Sequence, residues 1–543
     1  MRIFNTAGPV NPKNHYYVPH RLDEALFLQL IAEQKYFILH APRQSGKTTA
    51  IRMFAQQLNT TNQYKALYVN IEPAQAARGD VKHGMEIILN RLRGAAELLL
   101  GSDDPFFVYI EKALDRVSGG SLQEVLEKWS RASDKPIILL IDEIDSLVGD
   151  TLISVLRQLR AGYNERPDNF PQSVCLIGVR DVRDYRVWSE SENSMVLGGS
   201  AFNIKAESLI LSNFSLDQVR MLYNQHSYET GQQFADEAIE YAFYLTQGQP
   251  WLVNALAYQA CFRDVIDRSQ PITKDVIERA KDVLILRRDT HIDQLVHKLD
   301  EPRVRRIMDA IIMGEDAPQD LPIDDIQYVI DLGLISKNNQ RLDIANPIYR
   351  EIIPRELSYP TQLSITQQTL WYQKPDGSLD MHKMLEAFTQ FYRENSDIWL
   401  EKFAYKESGP HLLLMAFLQR VINGLSSEAL AKEDGGKIHR EYALGRKRLD
   451  LLILWPAVAN ASFDKLRTIG DKVHQRIVIE LKVDRGLETI PKGLVQTAEY
   501  MDINNATEGH LVVFDRSISK SWVEKVFVQQ HVVGRDTITV WGM

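Results

Sequence analysis

Short apolar runs alternate with amphipathic stretches through the first 205 residues of the chain. Four of the runs have the length and composition of buried strands: YFILHA (36–41), KALYVNIE (65–72), DKPIILLIDEID (134–145) and SVCLIGVRD (173–181). The segments between them, such as ISVLRQLRAGY, space their apolar residues as a helix does. Because buried-type strands that alternate with helices form parallel sheets with helices on both faces, we predict an α/β fold for residues 1–205.

Beyond residue 205 the spacing of apolar residues predicts four further regions. Residues 206–290 are helical throughout. Residues 291–357 combine short helices with an NNQ turn between two short apolar runs, as in the hairpin of a winged helix. The polar stretch SYPTQLSITQQT opens a predicted helical linker at 358–400. An α/β pattern then covers residues 401–543, so we predict a second α/β domain there.

The size and charge of the chain narrow the possible function classes. With 543 residues, of which 25% are charged and 44% hydrophobic, the chain has the composition of a soluble protein of three or four domains. The formal net charge of -9 argues against a histone-like coat on DNA, although local basic patches can still bind nucleic acid.

The cysteines and the N-terminus bear on the compartment of the protein. Cys175 and Cys261 lie in apolar sequence without a CxxC or His-rich neighbourhood, so we predict buried thiols rather than a disulfide or zinc site. The first residues lack the apolar core of a signal peptide, and no stretch approaches ~18 uninterrupted apolar residues. We therefore expect a cytoplasmic protein with no membrane partner.

The segment APRQSGKTT (41–49) follows a buried-type strand and opens a helix, which is the context of a phosphate-binding loop. Backbone N–H groups of such a loop surround the phosphates, and the helix N-terminus adds positive potential. We expect Lys47 to reach the β- and γ-phosphates of ATP and Thr48 to bind Mg²⁺. The residues predicted to contact the nucleotide are Ala41, Pro42, Arg43, Gln44, Ser45, Gly46, Lys47, Thr48 and Thr49.

Alanine at position 41 departs from the usual phosphate-loop motif, which begins with glycine. If that position required a positive φ, alanine would cost roughly 1 kcal/mol. Gly46, by contrast, is present and lets the backbone approach the phosphates closely.

The apolar strand in ILLIDEID (138–145) ends in two acids, Asp142 and Glu143. In open α/β folds the carboxyl edge of the sheet is where ligands bind. We expect Asp142 to hold Mg²⁺ through water and Glu143 to orient or deprotonate the water that attacks ATP.

The order of these motifs over residues 15–355 resembles the AAA+/STAND group of P-loop ATPases, including archaeal-type ATPases. The resemblance implies a γ-phosphate sensor after the fourth strand, for which Arg180 and Asp181 are candidates. It also implies a helical lid with a Gly-x-Pro motif that contacts the nucleotide. Gly248, Gln249 and Pro250 in QGQPWLVNAL match that motif.

Other parts of the same resemblance leave alternatives open. The segment YYVPHR (16–21) lies where such proteins often contact adenine, although it could be an ordinary surface loop. Arg157 and Arg160 could act as arginine fingers on a neighbouring subunit or form a solvated helix face. The winged-helix-like region is expected to pack or regulate rather than to recognise bases.

Two strands in the C-terminal region carry acids and a lysine. RKRLDLLILW (446–455) contains Asp450, and RIVIELKV (476–483) contains Glu480 and Lys482, which share a face of their strand because they are two residues apart. Two nearby carboxylates repel each other unless a divalent ion lies between them, so we expect Asp450 and Glu480 to bind Mg²⁺ or Mn²⁺. Such an ion lowers the pKa of bound water from about 15.7 toward roughly 7 to 9. Lys482 would position that water or neutralise the charge that develops on phosphorus.

This arrangement resembles the PD-(D/E)XK nucleases. Gln496 and Tyr500 in VQTAEYM lie on one helix face and resemble the additional motif of RecB-type members, where such a pair organises the site. Glu407 matches a first-helix acid of many members, and Glu441 is a rival for that role. GKIHREYALGRKR adds basic residues that could cradle a phosphate backbone or form a solvated face: Lys437, Arg440, Arg446, Lys447 and Arg448.

The sequence thus predicts an α/β P-loop ATPase with a helical lid and a winged-helix-like module, followed by a PD-(D/E)XK α/β nuclease domain at 401–543. We expect an ATP-controlled endonuclease that cuts nucleic acid, with DNA the expected substrate, and that could assemble as a homo-oligomer. A role in defence against foreign DNA follows only from the resemblance to ATPase–nuclease fusions. Two alternatives stay open: a nucleotide-switched DNA-binding protein with a non-cleaving nuclease-like domain, and a signalling ATPase.

Overall fold

The computed structural model describes most of the chain in two units. The described residues are 1–181, 186–189, 194–287, 297–313, 321–338, 341–353, 372–376, 378–402, 411, 413–415, 417–418, 437–439, 451–456, 467–469, 472–515, 517 and 520–543. The first unit comprises Met1–His291 and Gln327–Lys337, and the second comprises Ile292–Ile326 and Asn338–Met543. The finer division into the five predicted regions stays a prediction.

A five-stranded parallel sheet forms the centre of the first unit. Its strands, in chain order, are β1 (Tyr36–His40), β2 (Lys65–Asn70), β3 (Ile137–Asp142), β4 (Ser173–Gly178) and β7 (Lys205–Ile210). They lie in the order β2-β3-β4-β1-β7, so β1 and β3 flank β4. Between β4 and β7 the chain forms the antiparallel pair β5 (Arg186–Ser189) and β6 (Ser194–Leu197).

Helices cover both faces of this sheet, as the sequence predicts for a parallel sheet. They are α1 (Glu24–Ala32), α2 (Lys47–Thr60), α3 (Val81–Leu99), α4 (Phe106–Leu114), α5 (Ser121–Ala132), α6 (Gly149–Ala161) and α7 (Gly198–Ala201). Alternate residues of β3 belong to different cores: Leu139 packs with Trp129 of α5 on one face, and Leu140 packs with Phe54 of α2 on the other. The α/β fold predicted for this region is therefore confirmed.

Four helices follow the sheet in the first unit: α8 (Leu216–Thr230), α9 (Asp236–Thr246), α10 (Pro250–Gln259) and α11 (Lys274–Arg287). A capping box starts α8, in which the Ser215 hydroxyl accepts from Gln218 N and the Gln218 side chain accepts from Ser215 N. Gly231 ends the same helix in the left-handed conformation, which glycine adopts at little cost. We call α8–α11 the lid.

Shorter elements come next in the chain. They are α12 (Pro302–Met313), α13 (Ile323–Asp331), β8 (Ile335–Asn338) and β9 (Arg341–Ile344). The last two form a two-stranded sheet across the predicted NNQ turn.

A mixed sheet forms the core of the second unit. Its strands are β10 (Lys437–His439), β11 (Leu451–Pro456), β12 (Arg467–Ile469), β13 (Lys472–Val483), β14 (Glu508–Phe514), β15 (Phe527–Val533) and β16 (Asp536–Gly542). The order is β10-β11-β13-β14-β16-β15, with β12 paired to β13. The pairs β13–β14 and β14–β16 are parallel, while β11–β13 and β15–β16 are antiparallel.

Helices pack on the two faces of this mixed sheet. They are α14 (Met381–Lys402), α15 (Thr489–Ile503) and the short α16 (Trp522–Lys525). Phe388 of α14 shares a hydrophobic core with Ile479, whereas Tyr500 of α15 shares a separate core with Val478. The segment predicted as a linker therefore contributes a helix to this unit.

Two further expectations concern thiols and membranes. Cys175 and Cys261 are both free and buried, as predicted from their apolar surroundings. In the part of the chain that the structure describes, no helix combines the length and the apolar character needed to span a bilayer.

Candidate functional site

The predicted phosphate loop joins the end of β1 to the start of α2. Gly46 caps the N-terminus of α2 with a φ of 89°, and Gln44 has a φ of 58°. Ala41 does not have a positive φ, so alanine at that position carries none of the expected backbone cost. Its N–H donates to the carbonyl oxygen of Gly178 on β4, which ties the start of the loop to the sheet.

Lys47 points its ammonium group back into this loop. The side chain is buried, and its Nζ donates to the carbonyl oxygens of Ala41 (2.7 Å) and Pro42 (2.9 Å). Burial lowers the pKa of Lys47, and the nearby Glu143 is the largest influence in the opposite direction. A buried cation held by neutral carbonyls is positioned to bind an anion that enters the loop.

Asp142 lies at the carboxyl end of β3 and is fully buried. Its Oδ2 accepts from Thr48 Oγ1 and from the Tyr68 hydroxyl, both at 2.8 Å, and its Oδ1 accepts from Glu143 N at 3.0 Å. The two predicted Mg²⁺ residues are therefore in direct contact. Ser45 Oγ, in the same loop, is buried and has no hydrogen-bond partner among the described residues.

Tyr68 is a member of this site that the sequence reasoning missed. Burial raises its pKa, and the neighbouring Asp142 carboxylate raises it further, so the hydroxyl stays protonated and donates. The available signal was a tyrosine near the carboxyl end of β2, the strand that pairs with β3 through Asn70 and Asp142.

Glu143 has an unusual backbone and an unusual titration. Its φ of 61° and ψ of 41° are left-handed, which is uncommon for a residue with a side chain. Burial raises the pKa of its carboxyl to about 7, with Asp145 and Asp142 adding to the effect and Lys47 opposing it. A carboxylate with a pKa near neutrality is suited to take a proton from water.

Asp145 is a second acid that the sequence reasoning did not use. Its Oδ1 accepts from the N–H of Val179 at 3.1 Å, just after β4. A Cβ on Gly178 would lie only 2.6 Å from that oxygen, so glycine leaves room for the contact. Asp145 therefore links the acids after β3 to the segment that carries Arg180.

Arg180, a predicted γ-phosphate sensor, contacts the segment 327–337. Its Nε lies 3.4 Å from Asp331 Oδ2, and its guanidinium carbon lies 4.7 Å from the centre of the Tyr328 ring. Asp331 is buried, and burial raises its pKa. Asp181, the other candidate sensor, is also buried.

The same segment reaches the phosphate loop. Gly333 has a φ of 76°, and a Cβ at that position would lie 2.7 Å from Pro42 Cγ. Segment 327–337 therefore contacts both the loop and the candidate sensor.

The predicted Gly-x-Pro motif forms the turn between α9 and α10. Gly248 has a φ of 71°, its carbonyl accepts from Phe214 N at 2.8 Å, and a Cβ would overlap the Phe214 carbonyl. Gln249 caps α10 by accepting from Leu252 N at 2.6 Å, and Pro250 occupies the first turn. These contacts give the motif a structural role in the lid.

The segment 16–21 divides between two environments. Tyr16 is buried with its hydroxyl 3.3 Å from His226 Nδ1 of the lid, which is a packing position. Arg21 instead lies beside Gly46 of the phosphate loop.

In the second unit, Glu480 and Lys482 lie on the same face of β13. Glu480 is only 2% exposed, and its Oε1 lies 3.1 Å from Lys482 Nζ. On the helix α15, Tyr500 is buried, and the buried Gln496 Oε1 has no hydrogen-bond partner among the described residues.

The remaining predicted residues of this second site are not described by the structure. Asp450, Glu407 and Glu441 lie outside the described residues. So do four of the five basic residues: Arg440, Arg446, Lys447 and Arg448. Among the residues that are described, no group of three or more histidine, cysteine, aspartate or glutamate side chains could hold a metal ion.

Several solved structures are similar to this one. The Walker-type ATPase PABY2304 of Pyrococcus abyssi matches with a TM-score of 0.45 and 15% identity over 64% of this chain and 99% of that chain. The RuvB Holliday junction branch migration motor of Thermotoga maritima matches with a TM-score of 0.32 and 14% identity over 61% and 93%. Cdc6p from Pyrobaculum aerophilum matches with a TM-score of 0.34 and 12% identity over 64% and 97%.

Sequence comparison is more decisive for the family. No curated protein matches the chain. A sequence profile described as an AAA-like domain matches residues 5–354, which is more than half of the chain and includes the phosphate loop, the acids after β3 and the lid. The chain belongs to the AAA-like family of P-loop ATPase domains.

Proposed function

We propose that this protein is an ATP-regulated, divalent-metal-dependent nuclease that cuts DNA. Its first unit would bind and hydrolyse ATP, and its second would cut phosphodiester bonds. The observation that carries the ATPase half is the contact of Thr48 and Asp142 beside Glu143, whose pKa is raised to about 7.

The residues of the first site fit a nucleotide with its Mg²⁺ ion. Thr48 Oγ1 and Asp142 are oxygen donors of the kind that Mg²⁺ prefers, and the buried Ser45 hydroxyl would gain a phosphate partner. When bound, the ion would neutralise charge on the phosphates. Lys47 would bind the β- and γ-phosphates, and Glu143 would accept a proton from the attacking water.

Support for the nuclease half comes from the buried charges on β13. Glu480 is buried and Lys482 is partly buried among the apolar residues Ile479, Leu481 and Val483 of the same strand, where a charged pair costs stability and needs a reason to be there. Asp450 directly precedes Leu451, whose strand partner is Ile479, the neighbour of Glu480. Two carboxylates form an oxygen-rich donor set suited to Mg²⁺ or Mn²⁺.

A second candidate function is a nucleotide-switched DNA-binding protein whose nuclease-like domain does not cut. The 3.1 Å contact with Lys482 favours it, because that contact already compensates the charge of Glu480. In this case the β13 pair would be structural.

Regulation by ATP is supported by the contacts of segment 327–337. This segment belongs to the first unit, whereas the chain on both sides of it belongs to the second. Asp331 contacts Arg180, so the γ-phosphate of ATP would compete with Asp331 for the guanidinium group. Binding of ATP would then loosen the segment and change the state of the nuclease.

A cleavage assay on the full chain tests the proposal. Plasmid and single-stranded DNA would be incubated with Mg²⁺, Mn²⁺ or EDTA, each with ATP, with a non-hydrolysable ATP analogue or without nucleotide. We expect cleavage that needs the metal and changes with ATP. Metal-independent binding without cleavage would support the second candidate instead.

A further inference from the structure

Arg21 lies outside the phosphate-loop motif and bridges that loop to a second part of the nucleotide site. One terminal nitrogen, Nη1, donates to the carbonyl oxygen of Ser45, and the other, Nη2, donates to the carbonyl oxygen of Ser212 at 2.5 Å. The guanidinium carbon lies 4.6 Å from the centre of the Phe214 ring, within the range of a cation–π contact. The side chain therefore joins the loop to the segment that leads into the lid.

At each end of this bridge a glycine leaves the space that the contact needs. On the lid side, Phe214 N donates to Gly248 O at 2.8 Å, and Gly248 has no Cβ to obstruct that approach. On the loop side, a Cβ on Gly46 would lie 2.7 Å from Arg21 Nη1. The guanidinium group thus occupies space that any residue but glycine at position 46 would contest.

The charge of Arg21 is not balanced by an acid. Among the described residues no carboxylate lies within ion-pair distance of it, and its hydrogen-bond acceptors are neutral carbonyl oxygens. Burial lowers its pKa to about 10, so the group stays charged at neutral pH. A guanidinium group has five N–H donors, and the two bonds use only two of them. A partly buried cation with donors to spare attracts an anion.

We propose that Arg21 binds the phosphates of the nucleotide and, through Phe214, positions the lid over the phosphate loop. Its spare N–H groups would take phosphate oxygens, and its contact with Phe214 would hold Gly248 in place. The role is in binding and positioning, not in activating water. It rests on nucleotide binding at the phosphate loop, as in the proposed function.

Two variants and a matched control test the proposal on the full chain. Arg21→Ala removes the charge and the bridge, and Arg21→Lys keeps the charge but offers one donor nitrogen in place of the two terminal nitrogens that bond Ser45 and Ser212. Arg2→Ala is the control, because Arg2 is also an N-terminal arginine bound to the lid, with its Nε 3.0 Å from Glu229 Oε2 of α8. Thermal unfolding of each variant would show that it folds.

The affinities for ATP and for inorganic tripolyphosphate are the main measurement. We expect Arg21→Ala to weaken both by roughly ten- to a hundredfold, the worth of a hydrogen bond to a charged group. We expect kcat at saturating ATP to change less than about threefold. Arg21→Lys should recover most of the ATP affinity, whereas Arg2→Ala should keep it within about twofold.

Hydrogen exchange of the amides at 248–252 reports the lid. Both Arg21 variants should raise this exchange in the presence of ATP, and the Arg2 variant should not. The proposal is wrong if Arg21→Ala binds ATP as the wild type does, if Arg2→Ala loses as much affinity, or if ATP binding falls while tripolyphosphate binding does not. A wild-type chain that binds no ATP would instead contradict the proposed function.

Discussion

The two units each bury a carboxylate on a sheet, but they compensate its charge differently. Asp142 is surrounded by neutral donors, namely a hydroxyl from Thr48, a hydroxyl from Tyr68 and a backbone N–H. Glu480 faces the ammonium group of Lys482 at 3.1 Å. Neutral donors leave the negative charge in place to attract a cation, whereas a lysine neutralises much of it. A metal ion at Glu480 therefore needs a second carboxylate, while one at Asp142 does not.

The largest effect should come from removing Asp450, the proposed second carboxylate at the Glu480 site. Asp450→Ala should reduce DNA cleavage by roughly a thousandfold, since a catalytic ion supplies several kcal/mol of charge stabilisation. ATP hydrolysis should stay within about twofold because it takes place in the other unit. Asp502→Ala, an exposed acid paired with Arg535, is a matched control. Cleavage at the wild-type rate by Asp450→Ala would show that the second unit has no such metal site.

Next in size is the loss of the proposed base in the first unit. Glu143→Gln should slow ATP hydrolysis by roughly a hundredfold or more while ATP still binds, because the amide cannot take a proton from water. Single-turnover hydrolysis and equilibrium ATP binding separate the two effects. Equal turnover by the variant and the wild type would remove Glu143 from the mechanism.

The pH dependence of hydrolysis should follow the raised pKa of Glu143. With a pKa of about 7 in the free protein, the carboxyl is protonated below that pH and cannot act as a base, so kcat/KM for ATP should fall roughly tenfold per pH unit below 7 and level off above it. The residual activity of Glu143→Gln should lack this dependence. A flat profile for the wild type between pH 6 and 8 would contradict the assignment.

The contribution of Glu143 to the free energy of unfolding should fall as the pH rises, whereas ATP hydrolysis should rise. A carboxyl whose pKa is raised on folding binds its proton more tightly in the folded state, so its contribution to stability is complete below about pH 4.5 and is lost as the pH rises through about 7. Glu143→Gln should therefore be more stabilising, relative to the wild type, at pH 8 than at pH 5. Thermal unfolding at the two pH values would measure this.

A smaller effect is expected at the contact between the candidate sensor and segment 327–337. Asp331→Asn removes the charge that competes for Arg180, so ATP should bind roughly threefold to tenfold more tightly, and cleavage should depend less on ATP. Asp325→Asn, whose partner is Arg306, serves as the control. Lys47→Ala prevents ATP binding, so its cleavage rate should stay at the value seen without nucleotide. If Asp331→Asn and Lys47→Ala both cut like the wild type, the ATPase does not control the nuclease.

The smallest effects compare the two carboxylate environments directly. Lys482→Ala should tighten Mn²⁺ binding by the second unit about threefold, because no ammonium group beside Glu480 then repels the cation, although cleavage slows. Tyr68→Phe should raise the Mg²⁺ concentration needed for half-maximal ATP hydrolysis by no more than about threefold. The substitution removes one neutral hydrogen-bond donor to Asp142, worth about 1 kcal/mol. Calorimetric titration of Mn²⁺ that shows weaker binding by Lys482→Ala would mean that the lysine helps to hold the metal.

The sequence was a good guide wherever the evidence is local. The alternation of apolar runs predicts four of the five strands of the parallel sheet, and the phosphate loop lies between a strand and a helix as its motif requires. The fifth strand, β7 (Lys205–Ile210), lies at the start of the region predicted to be helical throughout, so that prediction is wrong there. Residues brought in from distant positions were not predictable. Tyr68 contacts Asp142 only because β2 pairs with β3, and Asp331 reaches Arg180 from 151 positions away. Neither contact has a pattern along the chain, because register and tertiary packing decide it.

The predicted second site shows a different limit. The two-residue spacing of Glu480 and Lys482 was enough to place them on one face of a strand, and their contact agrees with it. The placement of Asp450 depends on a strand pairing, which spacing within one segment cannot give. For that reason the metal at this site stays a prediction.

The left-handed backbone at Glu143 sets stability against activity at that position. Glycine adopts such angles without the penalty of roughly 1 kcal/mol that a side chain incurs, and it would also remove one of three neighbouring acids. Selection for thermal tolerance alone would therefore favour Glu143→Gly, a chain that folds more robustly and hydrolyses ATP poorly. Persistence of glutamate under such selection would report that ATP turnover is being used.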